Sequence, residues 1–240
     1  MTSLPRPVNA ASSSLQDRLA DVRDRIAAAA RRSGRDAGGV TLVGVVKTLP
    51  EATIAEAVAL GLMDLGENRV QEAELHQQRV ARNAATWHMI GHLQRNKAGR
   101  ALALFDVVHG VDGADLAEAL ARHAREQGRR LPVLIEVNVS GETSKFGVTP
   151  AGVPALIEHV ATLESLDLRG LMTVGAPVAS PGEARGGFAQ LRELREEGER
   201  RLGRPLPDLS MGMSGDYEVA VEEGATMVRV GSALFGARRP

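Results

Sequence analysis

The chain contains no cysteine, which removes disulfides, thiolate zinc sites and thiol nucleophiles from consideration together. Aromatic residues make up only 2% of its 240 residues, with one Trp, one Tyr and four Phe. A core of this size must therefore be built from Val, Leu, Ile, Ala and Met, which suits the layered aliphatic interior of an α/β barrel. A dominant charge is also missing. Basic and acidic residues number 29 and 30, leaving a formal net charge of −1, so no basic field steers nucleic acid or an anionic membrane, and neither is expected as a partner. No apolar run approaches the roughly 20 residues of a membrane span. Residues 1–14 are rich in Pro, Ser and Ala and lack the continuous apolar segment of a signal peptide. The missing cysteines fit a reducing compartment, and a cytoplasmic location is expected.

What is present is alternation. Leu15, Leu19, Val22 and Ile26 recur at helical spacing and predict a leading helix over 14–32. Apolar runs that read as strands then fall at 41–47, 62–66, 86–90, 106–109, 132–139, 167–174, 208–211 and 226–230. Helical stretches separate them at 51–60, 69–82, 96–104, 114–127, 150–163, 183–201 and 216–223, and a last one starts near Ser232. Strands alternating with helices imply parallel neighbours joined by crossovers. Eight such units, in a chain close to the roughly 250 residues typical of the fold, predict one (β/α)8 TIM-type barrel with an extra N-terminal helix. It is expected to occupy 14–240, preceded by a disordered tail over 1–13.

Reactive groups in such barrels sit where strands end and the following loops begin. That rule selects Lys47, which follows Leu42-Val43-Gly44-Val45-Val46. Burial disfavours the ammonium form and leaves a nucleophilic amine of the kind Schiff-base chemistry needs. A lysine snorkelling from a strand end is the plainer alternative. At the other end of the chain, Ser210-Met211-Gly212-Met213-Ser214-Gly215-Asp216 follows the seventh strand, and Val228-Arg229-Val230-Gly231-Ser232 closes the eighth. Phosphate sites in this fold are often built from those two loops and a helix N-terminus. Ser214 is expected to cap the helix that follows it. Gly215, Gly231 and Ser232 are expected to line an anion site that Lys47 reaches across the first and eighth strands of a closed barrel. Asn68, at the end of strand two, is a candidate pocket contact, and Glu67 beside it is expected to cap or pair structurally.

Seven motifs occur in order: Val46-Lys47-Thr48, Gly66-Glu67-Asn68-Arg69-Val70-Gln71-Glu72, Trp87-His88-Met89-Ile90-Gly91-His92-Leu93-Gln94-Arg95-Asn96-Lys97, Ser144-Lys145-Phe146-Gly147, Gly170-Leu171-Met172-Thr173, Ser210-Met211-Gly212-Met213-Ser214, and the run from Val228 to Gly236. Over roughly 15–238 the chain resembles the pyridoxal phosphate homeostasis protein family, whose fold is like the barrel domain of alanine racemase. The resemblance implies pyridoxal 5′-phosphate (PLP) held on Lys47 as a Schiff base, with phosphate-binding turns at Ser214 and Gly215 and at Gly231 and Ser232. It also implies that Arg229 faces the pyridine nitrogen. Val46, Leu49, Leu65, Arg69 and Ser232 depart from common family residues, though Ser232 keeps the hydroxyl of the usual Thr, and Arg69 is placed to alter the pocket rim.

An arginine at that nitrogen donates a hydrogen bond without giving up its proton, so the ring is a weak electron sink and transamination or decarboxylation is disfavoured. Racemisation needs acid/base groups on both faces of the substrate carbon. In alanine racemase the second is a tyrosine from an all-β domain for which this chain is read as having no room. The only tyrosine, Tyr217, is expected to be a phosphate-loop neighbour or a helix-surface residue. His88 and His92 have H-x-x-x-H spacing but span a strand end and turn, so no metal site is expected, and His88 is expected to line the pocket or satisfy a buried hydrogen bond. The segment Arg192 to Arg201 reads as a solvated face. The expected function is intracellular PLP storage, buffering or delivery to apo PLP-dependent enzymes, by a monomer with little catalysis of its own. A minimal PLP-dependent amino-acid racemase and a PLP-independent, aldolase-type lysine enzyme are the alternatives.

Overall fold

Val, Leu and Ile dominate the strand segments because branched side chains pack well on a pleated surface, and here they form eight short parallel strands. These are β1 (Thr41–Val45), β2 (Asp64–Glu67), β3 (Thr86–Met89), β4 (Val107–Val111), β5 (Leu131–Glu136), β6 (Leu166–Met172), β7 (Asp208–Ser210) and β8 (Met227–Val230). Each pairs with the next, and β8 returns to β1 to close the barrel. The computed structural model describes residues 13–142, 144–175 and 179–236, so the expected tail falls almost wholly outside the described residues.

The helices are α1 (Leu15–Arg32), α2 (Glu51–Ala59), α3 (Val70–Gln77), α4 (Ala98–Leu104), α5 (Ala114–Glu126), α6 (Val153–Ala161), α7 (Arg185–Leu202), α8 (Tyr217–Glu222) and α9 (Ser232–Phe235). The leading α1 starts at a capping box, in which Ser14 Oγ accepts from the Asp17 N–H at 3.1 Å and Asp17 Oδ2 accepts from the Ser14 N–H at 3.0 Å. Leu15, Leu19, Val22 and Ile26 are buried as their spacing predicts, and α1 packs on α8 and α9, over the seam where β8 meets β1. Several helices are shorter than their sequence patterns. Short 3₁₀ turns occupy 95–97, 150–152 and 181–184, where the patterns at 96–104, 150–163 and 183–201 were expected to be α-helical from the outset. Among the described residues, no helix is long and apolar enough to cross a membrane.

The aliphatic residues do not fill the barrel as composition suggested. Most of them, with Trp87, Phe105 and Phe188, form one apolar cluster that includes the buried faces of the surrounding helices. Val43, Val45, Ile90, Leu134 and Met172 are buried apart from that cluster. With them are buried His88, His109, Glu136, Ser210 and Arg229. Packing at this level is tight. A Cβ at Gly66 would meet Ile90 Cδ1 at 2.8 Å and Val43 Cγ1 at 3.0 Å.

Gly170 is a second close approach, because a Cβ there would lie 1.8 Å from the Asp208 carbonyl oxygen on the paired strand β7. Gly170→Ala should therefore destabilise the protein by roughly 3 kcal/mol or more, since backbone must move to admit the methyl. Gly186→Ala, in α7 with nothing within 4 Å, should stabilise it by about 0.5–1 kcal/mol. Urea unfolding of both variants checks the contrast.

Candidate functional site

Closure of the barrel decides which side chains meet. In the β1–β8 register Val43 stands opposite Arg229 and Gly44 opposite Val230, and on the other side of β1 Val45 stands opposite Gly66. Lys47 thus leaves β1 between the strands that carry Arg229 and Asn68. The strand ends at Val45, two residues earlier than expected, and Lys47 is half-buried in a turn closed by the Leu49 N–H donating to Val46 O at 3.1 Å. The next residue, Thr48, has φ +62°, a left-handed backbone that costs a β-branched residue about 1–3 kcal/mol. Such a conformation persists only where its surroundings impose it.

Part of that support is a buried pair on β2 and α3. His76 Nε2 donates to Leu49 O at 3.1 Å, because a carbonyl can only accept, and His76 Nδ1 lies 2.5 Å from Glu67 Oε1. Glu67 is fully buried, and burial pushes its carboxyl up to about 7 against the opposing pull of His76. The expected pairing role of Glu67 is therefore found, and its partner ties the lysine turn to the second strand.

The two turns expected to bind an anion do come together, though not as the sequence suggested. Ser214 does not cap α8. That position is Asp216, whose Oδ1 accepts from the Met213 N–H at 2.6 Å and so tightens the preceding turn. The Ser214 hydroxyl instead accepts from the N–H groups of Gly231 and Ala233, both at 3.2 Å, at the start of α9. Local sequence favours the helix three residues on, but the β7–β8 neighbourhood brings a second helix start within reach. Gly212, at φ +91°, lets this turn press against α8, where a Cβ would lie 2.5 Å from Ala220 Cβ. A Cβ at Gly215 would meet nothing within 4 Å, so that backbone borders open space. Ser232 opens α9 beside Gly231.

Arg229 is almost fully buried. Its Nη1 donates to Ser210 Oγ and its Nη2 to Thr173 O, each at 2.7 Å. Burial lowers the guanidinium to about 10, with Glu136 and Asp216 pulling the other way, so it stays charged at neutral pH. These two bonds use two of its five N–H donors. Asn68 lies on the other side of Lys47, lining a cleft of about 390 Å³ with Arg69, Met89, Gly91, His92, Lys97 and Phe146. Arg69 lines that cleft with its side chain largely exposed. His92 stacks on Phe146 with ring centroids 3.8 Å apart and its Nδ1 lies 3.1 Å from Asp112 Oδ2, while His88 turns inward to other partners. Among the described residues, no group of three or more His, Asp or Glu could hold a metal ion. Tyr217 is not a helix-surface residue. Its ring is buried in the layer between barrel and helices, 5.3 Å beneath the Arg25 guanidinium of α1.

Glu136 and His109 are among the buried polar residues that escaped the reading of the sequence. Glu136 interrupts the apolar run Leu134-Ile135-Glu136-Val137, and His109 interrupts Val107-Val108-His109-Gly110-Val111. The test that selected Lys47, a polar side chain in a core strand, selects both of these as well. Glu136 Oε2 is buried without a hydrogen-bond partner, and desolvation, reinforced by Asp112, raises the carboxyl to about 7.

Two predictions follow from these carboxyls. Removing one partner of a buried pair leaves the other uncompensated, so His76→Ala should cost roughly 3 kcal/mol in urea unfolding at neutral pH and release the Leu49 carbonyl. Glu136 keeps its proton in the native state up to about pH 7, whereas the unfolded chain loses it near 4.5. Its contribution to stability therefore falls as pH rises through that window. Glu136→Gln should match the parent at pH 4.5 and exceed it by roughly 1–3 kcal/mol at pH 8, measured as paired unfolding curves.

With this geometry in place, comparison with known proteins gives a consistent answer. The family model for the alanine racemase N-terminal domain matches residues 18–239. A protein of Pseudomonas aeruginosa named pyridoxal phosphate homeostasis protein is 45% identical over 226 residues, covering 94% of this chain and 96% of its own. A protein of Aquifex aeolicus with the same name is 41% identical, covering 93% and 98%. Among solved structures, PipY of Synechococcus elongatus, described with PLP bound, is 37% identical with a TM-score of 0.82, covering 93% of this chain and 100% of that one. Alanine racemase of Clostridium difficile shares the fold alone, at 16% identity and a TM-score of 0.69. A (β/α)8 barrel with these motifs in this order thus belongs to the alanine racemase N-terminal domain family, and within it to the pyridoxal phosphate homeostasis proteins.

Proposed function

We propose that this protein binds PLP, holds it through a Schiff base between its aldehyde and Lys47 Nζ, and keeps it as an exchangeable reserve for apo PLP-dependent enzymes. The single observation that carries the reading is the β1–β8 pairing, which sets Val43, four residues before Lys47, opposite Arg229. Two anion-competent turns end β7 and β8 beside them. The residues fit the group. Lys47 supplies the amine, the backbone at Gly215 and Gly231 and the hydroxyls of Ser214 and Ser232 suit the phosphate, and Arg229 suits the ring nitrogen. Asn68 is assigned to the pocket edge.

When bound, PLP supplies a reactive aldehyde and a ring able to withdraw electrons from a substrate carbon. The rest belongs to the chain. A guanidinium that stays charged and is clamped on two sides offers the ring nitrogen a hydrogen bond without transferring a proton, which leaves that ring a weak electron sink. Lys47 can serve one face of a substrate carbon. Tyr217, the only tyrosine, is buried in the helix layer and does not face the barrel mouth. These features support storage over turnover, and the reading takes the protein as a monomer working in the cytoplasm.

The experiment is spectroscopic. Purified protein with added PLP should show an imine absorbance band that Lys47→Ala abolishes, and borohydride reduction with mass spectrometry should place the adduct on Lys47. A colourless protein, or an adduct elsewhere, would overturn the reading. A chiral assay over several amino acids should give racemisation no faster than free PLP, while Lys47-dependent turnover well above it would establish the racemase alternative.

A further inference from the structure

Five side chains from four strands and the start of β2 form an unbroken hydrogen-bonded line across the barrel interior. Arg229 Nη1 bonds Ser210 Oγ at 2.7 Å, and Ser210 Oγ is 2.9 Å from His109 Nδ1. His109 Nε2 is 2.9 Å from His88 Nδ1, and His88 Nε2 is 2.9 Å from Asp64 Oδ1. The rings of His88 and His109 meet edge to face, their planes inclined at 79°. Arg229, Ser210, His109 and His88 are buried, whereas the Asp64 side chain keeps 29% of its surface exposed.

We propose that Ser210, His109 and His88 are positioning residues for Arg229, joined in a one-way hydrogen-bond chain whose direction is set by the Asp64 carboxylate. The direction follows from the donor inventory. A guanidinium only donates, so Ser210 Oγ accepts from Arg229 and is free to turn its own hydrogen to His109 Nδ1. That nitrogen is then bare, and the His109 proton sits on Nε2, donating to His88 Nδ1. The His88 proton is in turn on Nε2 and points at Asp64, an acceptor when ionised. Every link has one donor and one acceptor, with both histidines neutral. The opposite polarity would set a bare His88 Nε2 against a carboxylate and deprive the Ser210 hydrogen of His109 as an acceptor, each of which is costly in a low-dielectric interior. Burial agrees, since it holds His109 well below its ordinary value, with His88 and Arg229 adding to the effect.

The chain does something that a lone Arg229–Ser210 bond cannot. A serine hydroxyl is a free rotor, and an untethered one holds a guanidinium loosely. Tethered to His109 it fixes Nη1, while Thr173 O fixes Nη2 from the end of β6. The plane of the guanidinium is thereby set, along with the direction of its remaining N–H groups. That these groups address the pyridine nitrogen rests on the function proposed above; the tautomers do not.

Long-range 15N correlation NMR on the ligand-free, full-length chain reads the tautomers directly, with assignments from His→Gln variants. Both His88 and His109 should be neutral with the proton on Nε2 near pH 7. A proton on Nδ1 of either ring, or an imidazolium, would overturn the proposal. Asp64→Asn replaces the anchor with a group that can also donate, and should mix or reverse the His88 tautomer, whereas an unchanged spectrum would refute the anchoring role. His109→Leu should still form the Lys47 adduct but retain PLP roughly tenfold less well, with a shifted absorbance band. Unaltered retention and spectrum in this variant would remove the positioning role, and should the variant not fold, the Asp64→Asn tautomers decide. Loss of the adduct in the parent protein would count against the proposed function and leave the tautomer result standing.

Discussion

One constraint underlies the rest: β8 must pair with β1. The two lie nearly two hundred residues apart, and only closure of the sheet brings them side by side, Thr41 to Gly44 against Met227 to Val230. Everything at the candidate site inherits that register. Lys47 is near the start of the barrel and Arg229 near its end, and neither segment means much alone. The helix layer guards the same seam. α1 lies across α8 and α9, burying Leu15, Leu19, Val22, Ile26, Ala29 and Ala30 against them and the barrel. The ion pairs of Arg25 and Arg32 with Glu218 and Glu222 decorate that contact. Exposed pairs of this kind contribute little, so the apolar stripe of α1 is what holds the seam shut.

Closure also creates a problem that the sequence solves with polar residues. A ligand site near the strand ends needs a few placed polar groups, which aliphatic layers alone do not offer. Here Ile90 and Val43 pack against glycine at 66, and His88, His109, Glu136, Ser210 and Arg229 are buried beside aliphatic side chains. Burying five polar groups is unfavourable unless each finds a partner. Four of them do so in a single line of hydrogen bonds that ends at half-exposed Asp64. Glu136 does not, since its Oε2 remains without one. A buried carboxyl that keeps its proton up to about pH 7 is tolerable there because the neutral acid costs far less to bury than the anion.

How much of this was legible depended on whether the signal was local. Alternating runs of apolar residues gave the barrel, the helix order and the leading helix, because periodicity is written along the chain. Lys47 stood out because a charge following five apolar residues is a local anomaly. Glu136 and His109 carry the same local anomaly, a polar side chain interrupting an apolar strand. Ser214 was misplaced for a different reason. Its nearest helix start in sequence is α8, but the donors it meets come from Gly231 and Ala233, a strand and a helix later, and only the pairing of β7 with β8 reveals that. The His76 brace on the lysine turn was equally invisible, since it joins α3 to the turn after β1 across 27 positions.

The storage role proposed above asks the side chains beside the candidate site to hold a cofactor without using it. A catalytic site needs an acid or base on each side of the reacting carbon, with at least one of them free to change protonation during turnover. In this barrel the hydrogen-bonded groups beside the candidate site are arrested, and Glu136, with its unpartnered Oε2, is the exception. Arg229 is held at two nitrogens and stays charged, Ser210 and both histidines are committed to one another, and the lone tyrosine is enclosed beneath α1. Arrest of this kind suits the storage role proposed above. Lys47 sits half-buried in a turn held under backbone strain by neighbours that are themselves buried. A lysine presented by a strained, braced turn is set at the mouth of the barrel before any ligand arrives, so ligand binding need not supply the ordering.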